Sequence, residues 1–592
     1  FSLPARRMSG KLGKNQENRV ASEKLRLTLF PLHDTLIRRP VASAVMQIFF
    51  LLHIESFDCW KELEMKMEEV LFPRLPDFAE VICGDGSEVF AAPKNEQAAG
   101  GVELSFRAAD GLLQVVVAGG RAGVRFIRLR WNIELPAECL VCGDAWERTY
   151  GDVSWRHPDP GTLMPWYFVA FHEGLFLGFG VRVRPAAFAA WQCDPRGITL
   201  WLDLRCGTEP LMLGRRELAA ATLTGIAIRT DKPATRHVQE FCRTMCGDPL
   251  LPEFPVYGFN NWYYAYGKSS SAQLKKDADL LSSLTRGLLN RPFLVIDDGW
   301  ERNRGMGPWD QTADGYADLG ELAAAIRADG LRPGIWFRPL KTANPPEKYR
   351  SLRDPMYLDP SLPEVLEWVR NDMARLAGAG YELIKHDFST FDIFGQWGFE
   401  MRGFPASGNW RFRKNDRSSA EIVLDFYRAL LEGAGTAMIL GCNIIGHLGA
   451  GLVHVVRSGD DTSGRVWERT RKMGVNTLAF RLAQHRTFFD VDPDCVGVTE
   501  CVPWQFNRQW ARLVAESGTT LFASVLPGIS SAQELEEMSA LFRTAASGGS
   551  RVEPLDWMES PAPARWLIAD REERFDWYGA QGTEPEWLLP GQ

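Results

Sequence analysis

The chain has 592 residues, room for about four domains at roughly 150 residues each, or fewer if one is a large barrel. With 45% apolar and 24% charged residues it reads as an ordinary globular protein, which excludes disorder, collagen and coiled coil for the chain as a whole. A net charge of -8 argues against a general nucleic-acid binder, which needs a basic face to release counterions.

At the start, the longest apolar run, VMQIFFLLHI (45–54), is half the roughly 20 residues of a membrane span. It also lies too far in, behind too many charges, to be a signal peptide, so no membrane association is expected. Residues 1–66 read as an extension that is poorly ordered or foreign to the native protein, and MKMEEVLFPRLPDF from Met65 offers a natural start. The 11 cysteines are too sparse for a disulfide scaffold. Cys139 and Cys142 form one CxxC and Cys242 and Cys246 one CxxxC, but a zinc site needs a second pair or matching histidines, so no metal is expected. Reduced thiols fit a cytoplasmic protein.

Residues 67–250 read as strands: 101–109, 111–120, 123–133, 174–185 and 197–206 are rich in Val, Phe and Leu and separated by Gly, Pro and Asp turns. Short strands at this spacing predict a β-sandwich. From about 251 strands and helices alternate. Strands are predicted at 256–262, 293–298, 333–339, 382–388, 437–443, 452–458, 487–492 and 520–526. Helices are predicted at 270–284, 362–380, 418–435, 466–485, 503–518 and 531–549, several opened by Ser or Pro and closed by Gly. Eight strand–helix pairs over 251–549 predict a (β/α)8 TIM barrel. The competing doubly wound sheet calls for a glycine-rich phosphate turn after the first strand, and NNWYYAYG stands there instead. The Trp- and Pro-rich residues 550–592 read as a short C-terminal β appendage.

A barrel carries its chemistry at the C-terminal ends of its strands. There the sequence places Asn260, Asn261 and Trp262, then Asp297, Asp298 and Trp300, Trp336 and Arg338, Lys385, His386 and Asp387, Cys442 and Asn443, Arg457, Asp460 and Asp461, and Asp490, Asp492 and Asp494. A single strand-end Asp is usually a turn former or helix cap. Carboxylates on four of eight strands suit a pyranose better: acids and amides meet its hydroxyls, Lys and Arg bind its oxygens, and Trp covers its ring face. Two further carboxylates can cleave a glycosidic bond without metal or cofactor.

These residues resemble the clan D glycoside hydrolases, the α-galactosidase group of families 36 and 27. The resemblance rests on GFNNWYYAYG (258–267), Asp-Asp-Gly-Trp (297–300), Lys-x-Asp (385–387), Arg-x-x-x-Asp (457–461) and Asp-Pro-Asp (492–494), in that order over roughly 254–526. It implies that Asp387 is the nucleophile and Asp461 the acid/base, with Asp460 the alternative. It implies sugar contacts from Trp262, Asp297, Asp298, Lys385, Arg457 and Asp494. The chain departs from the family at GCNIIGHLGAG (441–451), which puts Asn443 where family 27 has an acid, and at Trp336-Phe337-Arg338, in place of a family-36 Glu. Trp336 and Asn443 therefore stand where the sugar's 2-hydroxyl side and the aglycone are expected.

The resemblance thus implies a retaining α-glycosidase acting on terminal α-linked galactose-like residues of an oligosaccharide or glycoside. An α-N-acetylgalactosaminidase, a raffinose-synthase-like transglycosylase and a non-catalytic carbohydrate-binding protein stay open, as does a homo-oligomer.

Overall fold

The computed structural model describes residues 72–401 and 403–579. The extension at 1–66 and the end of the 550–592 appendage therefore lie outside the described residues. The strand-rich first part forms two antiparallel sheets. One runs in the order Ser87–Ala91, Phe78–Cys83, Val124–Trp131, Gly197–Asp203, Phe188–Asp194 and Met164–Pro165. The other runs Glu96–Ala99, Val102–Ala109, Leu112–Gly119, Glu217–Arg229, Leu175–Val181, Tyr167–His172 and Leu140–Gly143. Alternation sets their faces: Ala79, Val81 and Cys83 of Phe78–Cys83 are buried, and the residues between them are not. Side chains of the two sheets meet in one core, where the Phe168 and Trp191 ring centroids are 5.8 Å apart.

One helix, Thr235–Met245, was not foreseen in this strand-rich part. It buries Val238, Phe241, Cys242 and Met245, the i, i+3, i+4, i+7 stripe of an amphipathic helix. The CxxxC pair is this helical repeat, and Cys139, Cys142, Cys242 and Cys246 are all free thiols.

The second part is an α/β unit built on a nine-stranded parallel sheet. In sequence order its strands are Tyr257–Asn260, Phe293–Ile296, Arg332–Phe337, Leu383–His386, Met438–Gly441, Val455–Arg457, Asp490–Asp492, Val496–Val498 and Leu521–Val525. Eight overlap the predicted strands. The extra one arises because 490–498 is broken by Pro493 and by Asp494, whose φ is 80°. Asp490–Asp492 pairs with the sixth strand and Val496–Val498 with the ninth, so the sheet's two edges are neighbours in the chain. The Thr520 N–H, just before the ninth strand, also donates to the Val491 carbonyl at 3.0 Å.

The helices follow their caps. Ser418 and Glu421 form a capping box at Ser419–Ala434, as do Ser531 and Glu534 at Ala532–Ala546, and Gly518 ends Trp504–Ser517 in the left-handed region. The predicted helix at 466–485 is instead a succession of α (Trp467–Thr470), π (Arg471–Val475), α (Asn476–Arg481) and 3-10 (Leu482–Gln484) turns. Beyond the parallel sheet, Val552–Pro554, Arg565–Ile568 and Arg571–Arg574 form a three-stranded antiparallel sheet. Among the described residues no helix is long and apolar enough to cross a membrane.

Candidate active site

Parallel strands end in register here, so the residues just past them share one end of the sheet. Asn260 Nδ2 donates to Asp297 Oδ2 at 2.5 Å, and Lys385 Nζ donates to the same oxygen at 2.6 Å. The Asp297 N–H in turn donates to Asn261 Oδ1 at 2.9 Å. First, second and fourth strands are thereby cross-linked by polar groups that are all buried. Gly299 makes the next turn: its φ is +107°, and a Cβ there would lie 2.5 Å from the Gly267 carbonyl oxygen. Asp298 is left half-buried above this layer. Burial pushes its carboxyl up to about 8, and Glu301, Asp297 and Asp387 push the same way.

Asp387 is also half-buried. Its Oδ2 accepts from Trp336 Nε1 at 3.1 Å and its Oδ1 from the Phe388 N–H at 2.7 Å. Phe388 adopts φ 62°, costly for a residue with a Cβ, and the Arg338 guanidinium lies 4.0 Å over its ring. Burial would raise the Asp387 carboxyl, but Lys385, Arg148 and the Trp336 N–H outweigh it and hold it below the usual range, while Asp461 opposes them.

The neighbours Asp460 and Asp461 part company. The Asp460 side chain is 12% exposed, and Arg469 donates to its Oδ2 at 2.6 Å. The Asp461 side chain is 42% exposed and pairs with Arg457. Arg457 is buried and also donates to Asp494 Oδ1 at 2.7 Å. Asp494 accepts further bonds from Tyr263 and, at 2.7 Å, from the Thr462 N–H. Burial would raise the Asp461 carboxyl; Arg457, Arg148, Arg469 and Lys385 outweigh it and bring it to about 2.

Of the residues singled out in the sequence, Trp262, Asp298, Asp387 and Asp461 are partly open to solvent at this end of the sheet. Asp297, Lys385, Arg457 and Asp494 are buried beneath them and mutually paired. Trp262 lies not in the first strand but in a short helix, Trp262–Ala265. Trp336 is 1% exposed and turns its N–H, not its ring face, to the site. Asn443 has no exposed surface: its amide donates to Glu147, and its Oδ1 accepts from the Phe391 N–H at 3.1 Å. It offers a sugar no free polar group. His386 and His447 are buried, each with one bond, to Ser389 Oγ and the Val181 carbonyl. Among the described residues no group of three or more His, Cys, Asp or Glu is placed to hold a metal ion.

Two residues the sequence reading missed reach the site from the strand-rich part. The Thr149 N–H donates to the Ser458 carbonyl at 2.9 Å and the Asp460 N–H to the Thr149 carbonyl at 2.8 Å, which lays residues 147–150 along the end of the sixth strand. Glu147 there accepts from Asn443, Tyr150 and the Gly398 N–H. Arg148 lies 3.2 Å from Asp460 and 3.4 Å from Asp461. No local signal marks them: WERTY (146–150) lies in a loop between strands, among other charged residues such as Asp144, Asp152 and Arg156.

No family model matches the sequence. Among solved structures, the chain is similar to the α-galactosidase of Thermus thermophilus in complex with p-nitrophenyl α-D-galactopyranoside, at 18% identity and TM-score 0.57, over 84% of this chain and 98% of that one. It is also similar to the GH36 α-galactosidase AgaA of Geobacillus stearothermophilus, at 13% identity and TM-score 0.53, over 80% of this chain and 76% of that one. At such identities the likeness is one of fold: this chain shares the architecture of these two α-galactosidase structures.

Proposed function

We propose that the chain is a retaining α-glycosidase of the α-galactosidase type. Within the bounds 67–250, 251–549 and 550–592, the described residues make up respectively its β-sandwich, a (β/α)8 barrel closed through the broken strand at 490–498, and a β appendage. The observation that carries the reading is the pair Asp387 and Asp461. They come from just beyond the fourth strand and just beyond the sixth, both stay partly open to solvent, and the charge of Asp461 acts on Asp387.

In this reading Asp387 attacks the anomeric carbon as the glycosidic C–O bond breaks, and the departing oxygen takes a proton from Asp461. Water then attacks the same carbon, gives a proton to Asp461, and releases Asp387 with net retention. In the open site the arginines hold Asp461 ionised, the form the second half starts from. For the first half, substrate covering the site removes solvent and favours the neutral acid. Asp298 and Trp262 contact the sugar directly. Asp297 and Lys385 hold the floor beneath it.

A panel of nitrophenyl α-glycosides, the galactoside and the N-acetylgalactosaminide among them, tests this. Release of galactose with the α-anomer appearing first by proton NMR is expected. An initial β-anomer refutes retention, and sugar binding without any cleavage makes the chain a binding protein. Product analysis with added acceptor sugar separates hydrolysis from transfer.

A further inference from the structure

We propose that Arg148, carried in from the strand-rich N-terminal part, is a positioning residue that aims the Asp461 carboxylate at the sugar while Asp460 is held aside. The inference rests on the assignment of Asp461 as acid/base.

Three observations support it. Arg148 is buried, yet its two terminal nitrogens divide between adjacent carboxylates, at 3.2 Å from Asp460 and 3.4 Å from Asp461. Its place is built rather than accidental: backbone bonds fix Thr149 to Ser458 and Asp460, and Arg481 donates to the Glu147 carbonyl at 2.6 Å. The Trp397 and Tyr150 rings lie 5.5 and 5.7 Å from its guanidinium carbon, so the fork cannot swing freely. A planar guanidinium can fix two carboxylates in a way a lysine cannot.

The charge of Arg148 also reaches both acids of the mechanism. The other groups facing Asp461 are Arg457 and Asp460 beside it, Arg469 from the following helix, Lys385 and Asp387 at the end of the fourth strand, and Tyr263 and Tyr266 from the short helix after the first. Of these cations, Arg148 alone comes from outside the parallel-sheet unit.

The test compares Arg148→Gln and Arg148→Lys with the wild type. Loss of the cation should move both limbs of the kcat/KM pH profile upward by about one pH unit, since one opposite charge within a few ångströms holds a carboxyl down by that order. Arg148→Lys should keep the profile in place but lower kcat roughly tenfold with little change in KM, the cost of misaiming one group. A merely structural role would instead lower the melting temperature of both variants and leave the profile unmoved, which overturns the proposal. If Arg148→Gln does not fold, Arg148→Lys decides: wild-type kcat overturns it. If the wild type cleaves no α-glycoside, the functional reading fails by itself. The carboxylate infrared band lost in Asp461→Asn then reports on Arg148: it should titrate about one unit higher in Arg148→Gln, and an unchanged midpoint overturns the proposal.

Discussion

Trp336 Nε1 donates to Asp387 Oδ2 at 3.1 Å, binding the third strand of the parallel sheet to the carboxylate proposed as nucleophile just beyond the fourth. The buried indole also packs edge-on against Trp309, with ring centroids 5.9 Å apart, which restricts its rotation. A hydrogen bond to a charged group contributes about 1.5–3 kcal/mol. Trp336→Phe should therefore lower kcat/KM by roughly tenfold or more. It should also raise the proton affinity of Asp387, because the indole N–H favours the ionised form. The acid limb of the pH profile moves upward in steady-state assays if this is correct; an unmoved limb refutes it.

Asp387→Gly should abolish turnover, because no covalent intermediate can form, and azide should restore cleavage of a nitrophenyl glycoside by attacking in its place. Asp461→Ala should spare substrates with good leaving groups and lose those with poor ones, since only the latter need the proton. Asp460→Asn should act differently. It removes a buried partner of Arg469 and Arg148, so it lowers the melting temperature without that leaving-group dependence. The opposite pattern at the two positions would transfer the acid role to Asp460.

Asp298 gives a pH dependence of known sign. Its carboxyl is raised to about 8 by burial first and then by Glu301, Asp297 and Asp387. A carboxyl raised on folding contributes stability that is fully present below its ordinary value near 3.8 and is lost as pH rises through about 8. Asp298→Asn cannot ionise, so the gap in melting temperature between pH 5 and pH 9 should be smaller in that variant than in the wild type. Equal gaps, measured by calorimetry, would show that Asp298 titrates like an exposed acid.

Arg457 and Asp494 form a pair whose side chains are 3% and 1% exposed. Arg457→Met leaves Asp494 buried without its cation, which costs about 3–5 kcal/mol. The double variant Arg457→Met/Asp494→Asn should recover much of that loss in denaturant unfolding. Neither should restore activity, because Asp461 has then lost its main cation. Full stability in Arg457→Met alone would contradict the burial of this pair.

Much of the second half could be read in advance because parallel strands, covered on both faces, are short apolar runs bounded by caps. The ranges 293–298 and 520–526 contain the observed Phe293–Ile296 and Leu521–Val525. Helix Leu319–Ala328 escaped notice although Asp318 caps it and its buried stripe is Leu319, Leu322, Ala323 and Ile326, because this ten-residue element follows a long polar turn. The break at Pro493–Asp494 escaped too: a three-residue strand such as Val496–Val498 is shorter than any period that can be counted.

The sequence by itself determined which residues stand at the strand ends, because strand positions are written in local hydrophobicity and each apolar run closes on polar residues at the end where a barrel carries its chemistry. That sufficed to gather Asp297, Asp298, Asp387, Arg457 and Asp461. Tertiary structure decided their rank. Burial and pairing put Asn443, Asp494 and Asp460 into the supporting layer and left Asp387 and Asp461 open. It also decided that Glu147 and Arg148 belong here. Arg148 stands 313 residues before Asp461, and Glu147 stands 296 before Asn443. No local pattern encodes such pairs, since their meeting depends on how the strand-rich part is tied by Thr149 and Arg481 to the end of the sixth parallel strand.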